Sequence, residues 1–174
     1  MDDELLSRKR AIRMLLFDVD GVLTDGTFER RGNDETKRFH SRDGIGLVLA
    51  RRAGLKTGFI SGRRSSAVEA RARELHLDFV RLGVEDKVAS LEEALDQESL
   101  QASQVAYMGD DLPDLAVLSR VGFSATVSDA PPEVRSRVDY VTRARGGYGA
   151  VRELVEEILT AMGRLDELVR AYTR

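Results

Sequence analysis

Residues 12–25 read Ile-Arg-Met-Leu-Leu-Phe-Asp-Val-Asp-Gly-Val-Leu-Thr-Asp (IRMLLFDVDGVLTD). The apolar run 12–17, rich in branched residues and stopped by Asp18, predicts a buried strand that delivers its first acid at its carboxyl end. Similar short runs recur at 56–60 (KTGFI), 78–82 (DFVRL), 105–108 (VAYM), 121–125 (VGFSA) and 139–141 (DYV). Between them, 46–52, 65–75, 87–95 and 112–119 carry apolar residues three or four apart, the spacing of amphipathic helices. Strands alternating with helices over short connections imply a parallel sheet covered on both faces. The expected fold is therefore α/β, a doubly wound, Rossmann-like parallel sheet, in one domain spanning 1–174.

Two segments depart from that alternation. TFER (27–30), RGND (31–34) and ETKRFH (35–40) predict two short strands around a Gly-Asn-Asp turn, a β-hairpin at about 26–40 inserted after the first strand. Its place beyond the carboxyl end of that strand suits it to shape a site or to pair with another subunit. At the other end, Gly146-Gly147-Tyr148-Gly149 is a flexible break. Val151, Leu154, Val155, Ile158, Leu159 and Met162 then follow at helical spacing. Leu165, Leu168, Val169 and Tyr172 continue it past Gly163, so 149–173 is expected to be one interrupted helix packing its apolar face on the sheet.

Composition narrows the chemistry. The 174 residues carry 27 Lys+Arg against 30 Asp+Glu, a net charge of −3, with no cysteine and two histidines, His40 and His76. Disulfides, thiolate zinc sites, cysteine nucleophiles and histidine-rich metal clusters are excluded. The slight acidity argues against broad nucleic-acid binding. No apolar run approaches the roughly 20 residues of a membrane helix, and MDDELLSRKR lacks the apolar stretch of a signal peptide. A cytoplasmic protein is expected, with no membrane or nucleic-acid partner, working through carboxylates, lysines and arginines.

Those groups gather where open α/β sheets bind ligands, at the carboxyl ends of the strands. The first strand leads into Asp18-Val19-Asp20-Gly21, the second into Ser61-Gly62-Arg63, and the fourth into Gly109-Asp110-Asp111 with Asp114 beyond; Lys87 opens a helix. One aspartate after a strand is most often a turn former or helix cap. Several on one rim repel unless a cation neutralises them, and all-oxygen ligands favour Mg²⁺ over zinc or copper. An EF-hand loop begun at Asp18 fails because Val22 and Leu23 stand where a ligand and a glycine are needed.

The order DVDGVLTD, SGR, a helix-opening Lys and GDDLPD resembles the four motifs of the haloacid dehalogenase (HAD) superfamily. That resemblance implies Asp18 as nucleophile and Asp20 as general acid/base. It implies Mg²⁺ held by the Asp18 and Asp110 carboxylates and the Asp20 main-chain carbonyl, with Ser61 and Lys87 on the phosphoryl oxygens. An Asp at position 20 implies a phosphatase or phosphomutase. Only a hairpin and one helix fit between Asp20 and Ser61, and one helix between Lys87 and Asp110, so the chain is expected to be capless.

The segments after DGVLTDG, FHSRDGIG (39–46) and GGYGAVRELVEEIL (146–159) are similar to the capless 3-deoxy-D-manno-octulosonate 8-phosphate (KDO 8-phosphate) phosphatases. The resemblance implies hydrolysis of KDO 8-phosphate through an aspartyl-phosphate, in the route to the lipopolysaccharide inner core. It also implies a homotetramer with hairpins assembled centrally and the C-terminal segment reaching a neighbour's site. A phosphorylated sugar acid would then be contacted by Asp20, His40, Ser41, Arg42, Asp43, Gly44, Arg63, Arg71 and Lys87; guanidinium groups suit its carboxylate. Two alternatives stand beside this expectation: the same chemistry on a nine-carbon 2-keto-3-deoxy sugar acid phosphate, and a non-catalytic assembly module.

Overall fold

In the computed structural model, which describes residues 3–31 and 34–173, Met14–Phe17 forms strand β1 with all four side chains buried. It lies at the centre of a six-stranded sheet ordered β5-β4-β1-β6-β7-β8. The partners are β4 (Lys56–Ser61), β5 (Phe79–Leu82), β6 (Val105–Met108), β7 (Phe123–Thr126) and β8 (Tyr140–Val141), all parallel. Burial on both faces explains why β1 and β6 read as unbroken apolar runs rather than alternating ones.

Helix α2 (Ser41–Arg52) joins β1 to β4, and α3 (Ser66–Glu74) joins β4 to β5. Helix α4 (Lys87–Glu98) carries the chain back across the sheet to β6; the short α5 (Leu115–Leu118) and α6 (Pro132–Arg135) follow. Right-handed crossovers place α2 and α3 on one face and, after the reversal, α4 and α5 on the other. The reversal occurs beside β1, so the strand ends of β1, β4 and β6 open a crevice there. In register, Phe17 lies opposite Phe59 and Met108, which brings the residues after β1 and β6 to one level.

Helix α7 (Ala150–Ala161) buries Val151, Leu154, Val155, Ile158 and Leu159 completely. Such side chains contribute roughly 1.5–3 kcal/mol each when removed from water. It packs closely on α2 at Gly46, where an added Cβ would lie 2.9 Å from Arg152 Cα. Gly163, at φ +68°, ends this segment, and α8 (Leu165–Arg170) resumes beyond it, the interruption expected from the sequence.

The inserted hairpin pairs β2 (Glu29–Arg31) antiparallel with β3 (Asp34–Thr36), Arg30 opposite Glu35. It forms a separate two-stranded sheet. Gly32 and Asn33 of the expected turn lie outside the described residues. Other boundaries differ from expectation. Helix α2 begins at Ser41, not 46, because His40 Nδ1 accepts the Arg42 N–H at 3.2 Å and caps it. Strand β7 begins at Phe123, since the Gly122 N–H donates to Ala102 O at 2.8 Å instead of joining the ladder. Helix α1 (Asp3–Ala11) has no amphipathic signature and is held by specific contacts instead. Arg8 grips Asp139 at 2.7 Å, and buried Lys9 reaches Glu157 at 2.5 Å with its ammonium 5.3 Å from the Phe123 ring centroid.

Candidate active site

The crevice at the strand ends is a cavity of about 370 Å³ lined by residues that include Asp18, Asp20, Ser61, Arg63, Lys87 and Asp110. Asp18 stands directly after β1, its N–H donating to Met108 O at 2.9 Å. Gly21 follows at φ +89°, and an added Cβ there would fall 1.9 Å from Asp110 Oδ2. A side chain at position 21 would therefore exclude the Asp110 carboxylate from the position it occupies.

One carboxylate oxygen from each of Asp18, Asp110 and Asp114 lies within 4.8 Å of the others. Two unit charges that close repel by roughly 3–4 kcal/mol at an effective dielectric constant of 20. Burial and the neighbouring Asp114 carboxylate push the Asp18 carboxyl up to about 6, against the pull of Lys87. Burial, Asp18 and Asp114 push Asp110 up to about 8. Lys87 opens α4 and donates to Asp18 Oδ1 at 2.8 Å and Asp114 Oδ1 at 2.7 Å. Burial opposes its charge, but the two carboxylates outweigh burial and hold its pKa above the ordinary lysine value. When all are ionised, three carboxylates against one ammonium leave two charges uncompensated, the charge of one divalent cation.

Asp114 differs from its two neighbours. Its Oδ1 also accepts the Tyr107 hydroxyl at 2.6 Å, and its Oδ2 accepts the N–H groups of Asp110 and Asp111 at 3.0 and 3.3 Å. With four donors its acceptor capacity is taken up, so it organises the Asp110 loop and Lys87. A hard cation is left with the carboxylates of Asp18 and Asp110. The Asp20 carboxylate turns elsewhere, to Lys37 and, at 3.8 Å, to Arg63 Nε. Only its main chain would then be offered to a metal. Ser61 ends β4, and its Oγ accepts the Arg63 N–H at 3.2 Å, which leaves its hydroxyl hydrogen for a ligand.

The residues implied for the sugar are placed in several settings. Arg63 lines the acidic crevice, whereas Ser41 and Arg71 line an adjoining concavity with Lys37 and Phe39. Arg71 is no solvated charge: its guanidinium lies against Gly44, ion-pairs Glu74 at 2.8 Å and sits 5.9 Å from the Phe39 ring centroid. Arg42 is exposed. His40 caps α2, its ring 6.5 Å from that of Tyr148. Asp43, also implied for the sugar, lies inside the fold. It is 1% exposed, and its two oxygens accept the Gly149 N–H at 3.2 Å and the Arg152 N–H at 2.9 Å. The carboxylate thus caps α7 from the first turn of α2.

Residues 73–153 match the family of haloacid dehalogenase-like hydrolases. The chain is 39% identical over 165 residues to the 3-deoxy-D-manno-octulosonate 8-phosphate phosphatase KdsC of Escherichia coli (strain K12), covering 94% of this chain and 88% of that relative. A probable YrbI-family phosphatase from Pseudomonas syringae pv. phaseolica 1448a superposes with a TM-score of 0.95 at 42% identity, covering 99% of each chain. The 3-deoxy-D-manno-octulosonate 8-phosphate phosphatase of Moraxella catarrhalis, solved with magnesium ion, phosphate ion and KDO, superposes with a TM-score of 0.94 at 35% identity, again over 99% of each chain.

Proposed function

Since the chain belongs to the 3-deoxy-D-manno-octulosonate 8-phosphate phosphatase family, we propose that it hydrolyses KDO 8-phosphate to KDO and phosphate with Mg²⁺ as cofactor. The observation that carries the reading is the charge of the crevice: Asp18, Asp110 and Asp114 lie together with Lys87 paired to Asp18 and Asp114, so that full ionisation leaves two negative charges uncompensated. Asp18, Asp110 and the Asp20 main-chain carbonyl would hold the metal, an all-oxygen set suited to a hard cation. Bound there, Mg²⁺ would neutralise charge on the phosphoryl oxygens.

The side chains divide the remaining work. Lys87 has three donors, two of them engaged by Asp18 and Asp114, and the third is available to a phosphoryl oxygen. The Ser61 hydroxyl supplies another donor. Asp18 Oδ2 attacks phosphorus, forming an aspartyl-phosphate as the P–O bond to the sugar breaks. Asp20 gives its proton to the departing sugar oxygen. It then takes a proton from the water that attacks phosphorus, releasing phosphate and regenerating Asp18.

The implied homotetramer is part of this proposal. The hairpin forms its own sheet, and Phe28 beside it is 42% exposed; a free strand edge with an adjacent aromatic favours pairing with other copies. A sedimentation mass near four chains is expected, and a monomer at working concentration would remove this part of the reading. No helix among the described residues is long and apolar enough to cross a membrane. We place the reaction in the cytoplasm, where a charged phosphate ester that does not cross a bilayer unaided would be made and consumed.

The test is phosphate release from KDO 8-phosphate beside the nine-carbon analogue and simple sugar phosphates, with and without Mg²⁺. Metal-dependent preference for the eight-carbon substrate is expected. Preference for the nine-carbon acid would keep the chemistry and change the substrate; silence on the whole panel would overturn the enzymatic reading.

A further inference from the structure

We propose that Lys37, which follows the second strand of the hairpin, is a positioning residue for Asp20 and makes the hairpin a working part of the active site. This rests on the phosphatase reading above. The Lys37 side chain is 0% exposed. Its ammonium binds Asp20 Oδ1 and lies 3.1 Å from Glu35 Oε1. Glu35 Oε2 in turn accepts Arg63 Nη2 at 2.7 Å. Arg63 stacks with its guanidinium carbon 4.0 Å from the Phe28 ring centroid, and Lys37 Nζ lies 5.7 Å from the same ring. Phe28, Glu35 and Lys37 all come from the inserted segment; Asp20 and Arg63 come from the ends of β1 and β4.

An ammonium withdrawn from water costs several kcal/mol unless it is paired, and an apolar side chain would fill this position without that cost. The lysine instead joins the inserted hairpin to the one carboxylate that must exchange a proton twice. Asp20 has to aim at the departing sugar oxygen and afterwards at water, and a carboxylate free to rotate would meet each target only part of the time. With Oδ1 bound to Lys37, Asp20 presents Oδ2, which lies 3.8 Å from Arg63 Nε. Oδ2 is therefore the oxygen that carries the proton, and Lys37 holds it facing the phosphoryl site.

The experiment compares wild type, Lys37→Met, Asp20→Asn and the double variant on KDO 8-phosphate and on p-nitrophenyl phosphate. For Lys37→Met, kcat on the sugar phosphate is expected to fall about 10- to 100-fold, part of the range for general acid–base catalysis, with KM within about threefold of wild type. Nitrophenolate is a good leaving group and needs little protonation. The variant should therefore release it in a rapid burst of nearly one equivalent before slow turnover. Because Lys37 acts through Asp20, the double variant should be no slower than Asp20→Asn alone.

Wild-type rates in Lys37→Met, a raised KM with unchanged kcat, loss of the burst, or losses that add in the double variant would each overturn the inference. If Lys37→Met does not fold, Lys37→Leu, which likewise removes the donor to Asp20 Oδ1, is carried through the same comparisons and judged by the same outcomes. Wild-type protein inactive on KDO 8-phosphate would instead overturn the functional reading, so the two failures are distinguishable.

Discussion

With Lys87 and Tyr107 on one oxygen of Asp114 and two backbone N–H groups on the other, a single buried residue sets the positions of both Lys87 and the Asp110 loop. Tyr107 is fully buried, and burial together with the Asp114 carboxylate pushes its hydroxyl pKa far up, so it stays a donor. Tyr107→Phe removes that donor and keeps the shape. We expect about 1.5–3 kcal/mol of lost stability in urea titrations, the range for a hydrogen bond to a charged group, with a smaller fall in kcat. A variant as stable as wild type would mean that Asp114 gains nothing from the tyrosine. In the sequence Tyr107 is simply one apolar-run residue of VAYM, because its partner lies beyond a turn. Lys37 is hidden for a related reason: a lysine in a polar hairpin looks solvated until the fold buries it.

Secondary elements are tied together by charged groups that the sequence reading assigned elsewhere or left unassigned. Asp43 sits in the first turn of α2, yet it caps α7, more than a hundred residues away. Asp43→Ala leaves the Gly149 and Arg152 N–H groups at the start of α7 without their acceptor and should cost about 1–2 kcal/mol, within the range for N-cap removal. Burial raises the Asp43 pKa despite the Arg152 and Gly149 N–H groups, so its charged form is disfavoured by folding. Asp43→Asn keeps an acceptor without the charge and should cost less than the alanine variant. Chemical denaturation measures both, and KM should stay within about twofold; a large rise in KM confined to Asp43 variants would mark it as a ligand contact instead. Helix α1 teaches the same lesson. Its sequence is charged all round, and Arg8 and Lys9 dock it on Asp139, next to β8, and on Glu157 of α7.

For the whole molecule, the acidic crevice links stability to pH and metal. Asp18 and Asp110 have folded-state pKa values of about 6 and about 8, above the ordinary value of 3.8. From about pH 4 to 8 the folded state thus holds more protons than the unfolded state, and stability of metal-free protein falls as pH rises through that window. The raised Asp18 pKa alone corresponds to roughly 3 kcal/mol at 1.36 kcal/mol per unit. Mg²⁺ binds the deprotonated carboxylates, so its stabilisation should be small near pH 5 and largest at pH 8. At a hundred times its dissociation constant it would contribute about 2.7 kcal/mol. Melting curves at the two pH values, with and without Mg²⁺, test this; a metal-induced shift equal at both would contradict it.

The α/β class, the strand-end motifs and the interruption at Gly163 were legible in the chain alone, for a local reason: apolar period, turn residues and motif spacing are written in consecutive positions. That is why the sequence alone puts Asp18, Ser61, Lys87 and Asp110 on one rim. Contacts between distant segments were not legible. Asp43 reaching α7, Lys37 reaching Asp20, Tyr107 reaching Asp114 and Lys9 lying against Phe123 each depend on which side chain is withdrawn from water, and against which partner. Burial turns an ordinary acid, lysine or tyrosine into a group that must find its counterpart, and only the packed tertiary structure decides where that counterpart lies.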